Sequence, residues 1–69
     1  MKAGEIIARA NTFLALSRDN SVAESEQKSA YRTAQEYLSK LDAMGIEYFY
    51  SMRSATYVID YSAMRTITA

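Results

Sequence analysis

The stretch NSVAESEQKSAYRTAQEYLSKLDAMGI, Asn20 to Ile46, carries helix signals at both ends and constrains the fold more than any other part of the chain. Ser21 and Glu24 spell an S-x-x-E capping box, in which each side chain bonds the other residue's backbone N–H. The spacing therefore predicts a helix over about 21–44. At its far end Gly45 supplies a residue able to take the left-handed conformation, and Ile46 is the apolar residue that closes a Schellman-type cap. Ala23, Ala30, Tyr37 and Met44 recur every seven residues, with Gln27, Ala34 and Leu41 between them and Leu38 beside the stripe. The opposite face holds Glu24, Lys28, Arg32, Glu36 and Lys40. There Glu24–Lys28 and Glu36–Lys40 have the favourable order and contribute roughly 0.2–0.5 kcal/mol each, while Lys28 above Arg32 opposes them.

A helix with one narrow apolar stripe needs a partner, and the preceding segment provides it. KAGEIIARANTFLALSR puts Ala3, Ile6, Ile7, Ala10, Phe13, Leu14 and Ser17 at helical spacing over about 3–17, with Leu16 on the flank. Asp19 and Asn20 form a short turn, so the two helices are expected to run antiparallel. Bulky Ile6, Phe13 and Leu14 then face small Ala23, Ala30 and Ala34, which allows close backbone approach.

The tail GIEYFYSMRSATYVIDYSAMRTITA is of another character. Tyr48, Phe49, Tyr50, Tyr57 and Tyr61 are five of the chain's eight aromatics. Residues 46–52 and 56–61 are rich in aromatic and β-branched side chains and lack a helix cap, which favours strands joined through Arg53, Ser54 and Ala55. The expected architecture is α+β, an antiparallel helical hairpin followed by a β-hairpin, in one domain spanning 1–69. A third continuous helix, giving a small all-α domain, is the competing reading. Asp60 or Ser62 is a candidate start for a final helical turn through Met64 to Ile67. Alternation sets Ile46, Tyr48, Tyr50 and Met52 on one face of the first strand and Glu47, Phe49, Ser51 and Arg53 on the other.

Leu14, Ala15, Leu16, Ala30, Ala34, Gln35, Leu38, Gly45 and Ile46 together resemble a helical-hairpin domain of unknown function found in many phage and bacterial proteins. In that family a Leu-rich first helix ends in "LA", and a polar turn leads to an Ala-rich second helix closed by Gly and an apolar residue. The likeness covers residues 5–46. It departs from the pattern at Tyr31 and Arg32, where small or apolar residues are commoner, and in ending soon after the hairpin. It implies a phage or mobile-element setting and carries no activity with it.

Composition narrows the function classes. With 69 residues the chain buries only about 60% of its unfolded surface and is marginal alone, so self-association is expected to help it. It has no Cys, which fits a reducing, cytoplasmic compartment of the host cell, and no Pro, which leaves few rigid breaks. No apolar run reaches the length of a membrane span or a signal peptide's central region. Eight basic and eight acidic residues cancel, which suits neither an acidic mimic of DNA nor a simple phosphate-backbone binder.

Catalysis finds little support. Without His or Cys the commonest general base, thiol nucleophile and zinc ligands are missing. Ser25 and Lys28 make an S-x-x-K string, but Ser25 falls in an exposed first turn and Lys28 pairs naturally with Glu24. Glu47 and Asp60 read as solvated carboxylates in preference to a magnesium pair, and Glu24 and Glu26 as complements of the helix dipole. The chain is therefore read as a non-enzyme with no cofactor and no metal.

The capped helix is then mainly scaffold, and the tyrosine-rich tail is the working surface. Candidate partner-binding residues are Phe49, Arg53 and Tyr61, which alternation and strand position leave outward, followed by Tyr48, Tyr50 and Tyr57. Tyr and Arg are frequent energetic anchors of protein interfaces. The leading expectation is a small phage or mobile-element protein that binds a host protein such as a defence or nucleic-acid enzyme, with inhibition as the extension of that reading. One alternative is a nucleic-acid-associated regulator using exposed aromatics with Lys28, Arg32, Arg53 and Arg65. Another is a structural, self-assembling module.

Overall fold

The computed structural model describes residues 1–62. Its elements follow the order α1 (Ala3–Ser17), α2 (Glu24–Ala43), β1 (Tyr48–Ser51) and β2 (Thr56–Ile59). Two helices followed by a two-stranded antiparallel sheet make an α+β arrangement, and the all-α alternative does not hold. Among the described residues no helix is long and apolar enough to cross a membrane.

The helical pair forms as the apolar stripes require. Ile6, Ala10 and Leu14 of α1 are buried, as are Ala30, Ala34, Leu38 and Leu41 of α2. Ala10 and Ala34 have no exposed surface at all, so each helix offers a small residue where the other backbone approaches. Phe13 stacks on Tyr37 at the side of the seam, with ring centroids 5.9 Å apart. The buried stripe of α2 runs through Ala30, Ala34, Leu38 and Leu41, all four within or beside the apolar face expected from sequence. Ala23 and Met44 of that face are exposed. Both flank α2, as its N-cap and C-cap residues.

The two ends of α2 differ from each other. At the C-terminus Gly45 has φ 73°, its N–H bonds the Asp42 carbonyl, and the Ile46 N–H reaches back to the Leu41 carbonyl, both at 3.0 Å. These are the two bonds of a Schellman motif. At the N-terminus the expected capping box is absent. The Ser21 N–H and hydroxyl both donate to Asp19 Oδ1, at 2.9 and 2.6 Å, and the helix begins three residues later than expected, after Ala23. Asp19 forms an Asx-type turn that takes up Ser21, and Gln27 Nε2 fastens the turn to the helix through the Asp19 carbonyl. Glu24 thus stands at the first helical position, where it forms the anticipated ion pair with Lys28 at 3.5 Å. Lys40 lies over the Tyr37 ring, 5.1 Å from its centroid.

The sheet is a hairpin with Tyr48 opposite Ile59, Phe49 opposite Val58, Tyr50 opposite Tyr57 and Ser51 opposite Thr56. Both strands are shorter than the expected 46–52 and 56–61. Ile46 is held by the helix cap, and the connection takes four residues, Met52 to Ala55. Ala55 closes the turn at φ 56°, a left-handed conformation that a Gly would adopt with less strain. Past β2, Asp60 Oδ1 accepts from the Ser62 N–H at 3.1 Å and helical backbone begins at Tyr61, in keeping with Asp60 as the start of a terminal turn. Met64, Arg65 and Ile67 lie outside the described residues.

Candidate binding surface

The inner face of the β-hairpin is an aromatic layer. Tyr57 stands at its centre, edge-on to Tyr48 and to Tyr50, with centroids 6.0 and 5.4 Å away. Tyr48 and Tyr57 pack with Ile46 against the cluster of Ile6, Ala10, Leu38 and Leu41, and Ile59 is buried beside them. The phenols find polar partners on α2. Tyr48 donates to Asp42 Oδ2 at 3.3 Å, and Gln35 Nε2 donates to the Tyr57 oxygen at 3.5 Å. Burial, with the nearby Asp42 carboxylate and its hydrogen bond, raises the Tyr48 pKa above its ordinary value of 10.0.

Two side chains, one within α1 and one at its C-terminal end, hold the hairpin in place. Asn11 donates from Nδ2 to the Tyr57 carbonyl at 2.9 Å and accepts the Tyr57 N–H on Oδ1 at 2.7 Å. Its amide therefore substitutes for a neighbouring strand along the free edge of β2. Arg18, just past α1, donates to the Ala55 carbonyl at 3.1 Å and to the Tyr50 hydroxyl at 2.7 Å, and its guanidinium lies 5.4 Å from the Tyr50 ring centroid. Neither residue was singled out from sequence. For Asn11 a signal existed, because an Asn inside a helix, four residues after Ile7 and three before Leu14, is a poor helix former on the buried side and needs a partner.

The outer face carries Phe49 and Val58, directly opposite each other and 51% and 38% exposed. Met52, in the turn, is 88% exposed. Of the candidate residues, Phe49, Arg53 and Tyr61 are exposed, while Tyr48 and Tyr57 are half-buried on the inner face. Tyr50 belongs to the inner face but stands at its rim, with its phenol taken by Arg18. The six do not form one patch. Arg53 lies in the turn and Tyr61 follows the opposite end of β2, so Phe49 with Val58 is the apolar centre between them. Val58 was not named as a site residue, although its alternation with Tyr57 and Ile59 places it outward.

The basic residues of the nucleic-acid reading are spread apart in chemistry and place. Lys28 is paired with Glu24, Arg53 sits in the turn, and Arg65 is outside the described residues. Ser17, Glu24, Gln27, Lys28 and Tyr31 line a shallow hollow at the base of the helical pair. Glu47 and Asp60 meet through their backbones, the Asp60 N–H bonding the Glu47 carbonyl at 2.9 Å. Among the described residues no three His, Cys, Asp or Glu side chains gather as metal ligands.

Comparison with protein-family models, curated proteins and solved structures finds no match for this chain. The resemblance to the helical-hairpin family rests on the residues quoted for it.

Proposed function

We propose that this protein is a binding module, not an enzyme, and that its contact surface is the outer face of the β-hairpin, with a protein as partner. The observation that carries this reading is the Phe49–Val58 pair, apolar and exposed on a sheet whose other face is occupied by the helices. A cross-strand pair of that kind, flanked by Met52 and Arg53, has the composition of an interface centre. Attachment to a host protein, with inhibition as its consequence, extends this reading through the family resemblance.

The test is capture of partners by the tagged chain from its native host, with nuclease treatment, followed by titration of the captured protein. Phe49→Ala is expected to weaken binding by about 2 kcal/mol, roughly thirtyfold, with an unchanged unfolding midpoint. Binding should vary little with salt. A steep loss of affinity with salt, or loss of the captured material on nuclease treatment, would move the assignment to nucleic acid.

A further inference from the structure

The two edges of the β-hairpin are unequal. Because the Tyr57 N–H and carbonyl both turn away from β1 to Asn11, Tyr50 and Tyr57 form a non-hydrogen-bonded pair. Alternation makes Tyr48 and Ile59 another such pair, in agreement with the Asp60–Glu47 backbone bond one step beyond. The N–H and carbonyl groups of Tyr48 and Tyr50 therefore point off the outer edge of β1. Among the described residues no strand adds there, since the sheet has two strands and β2 is the one packed on α1.

Natural sheet edges are commonly blunted by Lys, Pro, a bulge or an inward-pointing charge. Tyr48 to Ser51 has no charged residue and no proline, and its pairing with β2 runs without a bulge.

We propose that the β1 edge receives the β1 edge of a second copy of this chain, antiparallel about a twofold axis through Phe49, to make a four-stranded sheet. This rests on the reading of the hairpin as the binding surface and names the occupant. The register follows from the free groups. Centred on Phe49, Tyr48 of each copy pairs with Tyr50 of the other, and all four outward N–H groups meet all four outward carbonyls. Centred on Tyr48, the Tyr50 N–H and carbonyl would face Ile46, whose N–H already bonds Leu41. Centred on Tyr50, Tyr48 would face Met52 in the turn.

The side chains agree with the Phe49-centred register. On the outer face it brings Phe49 against its own counterpart as a non-hydrogen-bonded pair, the closer type of cross-strand contact, and aligns an apolar row of Val58, Phe49, Phe49 and Val58. On the inner face each Tyr48 meets a Tyr50. Glu47 of one copy falls opposite Ser51 of the other, next to the turn that holds Arg53, so opposite charges approach at both ends. The chain's balanced net charge sets up no repulsion between copies.

The test uses the whole chain. Sedimentation equilibrium should show a monomer–dimer transition as concentration rises through the micromolar to millimolar range. Phe49→Lys and Phe49→Glu should each remain monomeric while retaining the wild-type circular dichroism, and an equimolar mixture should regain the dimer. The chain has no cysteine, so Phe49→Cys carries one thiol per copy. Its Cα atoms would stand about 4.5 Å apart across the twofold, within the roughly 4.4–6.8 Å span of a disulfide. Under mild oxidation it should cross-link at least about tenfold faster than Met52→Cys, whose position is the more exposed. A wild type that stays monomeric throughout, a charge-swapped mixture that stays monomeric, or faster cross-linking at position 52 each overturns the proposal. If the wild type is monomeric yet Phe49→Ala loses a captured protein, only the second copy as partner falls. If Phe49→Ala alters neither self-association nor capture, the binding-surface reading falls with it.

Discussion

The helical pair and the β-hairpin are built by different rules. In the helical pair the specifying residues are close in sequence: Gly45 and Ile46 close α2 on Leu41 and Asp42, and Asp19 organises the turn through Ser21. In the hairpin they are distant. The edge of β2 is held by Asn11, 46 positions away, and Arg18 grips Ala55 and Tyr50 from 37 and 32 positions away. Asn11 holds the hairpin along the β2 edge, Arg18 holds it at the turn and at Tyr50, and its inner face packs on the helices, so the outer face and the backbone edge of β1 stay available for a partner.

Substitution should divide along the same line. The largest effect is expected in the shared core. Leu41→Ala, at a position with no exposed surface, should lower the unfolding free energy by about 2–5 kcal/mol and destabilise helices and hairpin together. A chemical denaturation curve measures it, and a loss under 1 kcal/mol would mean that the site collapses around the gap.

Asn11→Ala comes next and tests the hairpin specifically. It strands the Tyr57 N–H and carbonyl, and leaving such groups unpaired costs about 1–3 kcal/mol. Hydrogen exchange should quicken across β1 and β2 while the centres of α1 and α2 keep their protection. Uniform acceleration would show that the two units open as one.

The smallest effects belong to the turn before α2. The bonds from Ser21 lower the Asp19 pKa below its ordinary value of 3.8. A carboxyl lowered by folding adds stability above its unfolded pKa, and that stability disappears as pH falls through the lower, folded value. Asp19→Asn should therefore flatten the acid end of the stability curve, below about pH 4. Ser21→Ala should act through the same turn. If Ser21→Ala changes stability but Asp19→Asn leaves the acid limb untouched, the turn is not organised by this carboxylate.

The same division decides how much the sequence disclosed. Helical periodicity, the Gly45–Ile46 closure and strand alternation are local patterns, and they yielded the two helices, the β-hairpin and the outward position of Phe49. The start of α2 was misread because Ser21 has two available partners, Glu24 and Asp19, and spacing alone does not weigh one against the other. The apolar face of α2 was legible too, since buried Ala30, Ala34, Leu38 and Leu41 all lie within or beside the periodic stripe. Asn11 and Arg18 escaped notice since their partners are backbone groups of a distant turn and strand, which leave no mark on the sequence beyond a polar residue inside an apolar helix face. Tyr50 was assigned to the correct face, yet its phenol stands at the rim, because the Arg18 that holds it lies just past α1.

The central claim is that the hairpin's outer face and open edge are the working surface and the helices their scaffold. Amide and methyl NMR spectra of the labelled chain, recorded as the chain is concentrated and as a captured protein is added, address it most directly. Shifts are expected to concentrate at Tyr48, Phe49, Tyr50, Met52 and Val58, with α2 little changed. Shifts centred on Lys28, Arg32 and Glu36, with the hairpin unmoved, would contradict it and make the charged face of α2 the binding surface.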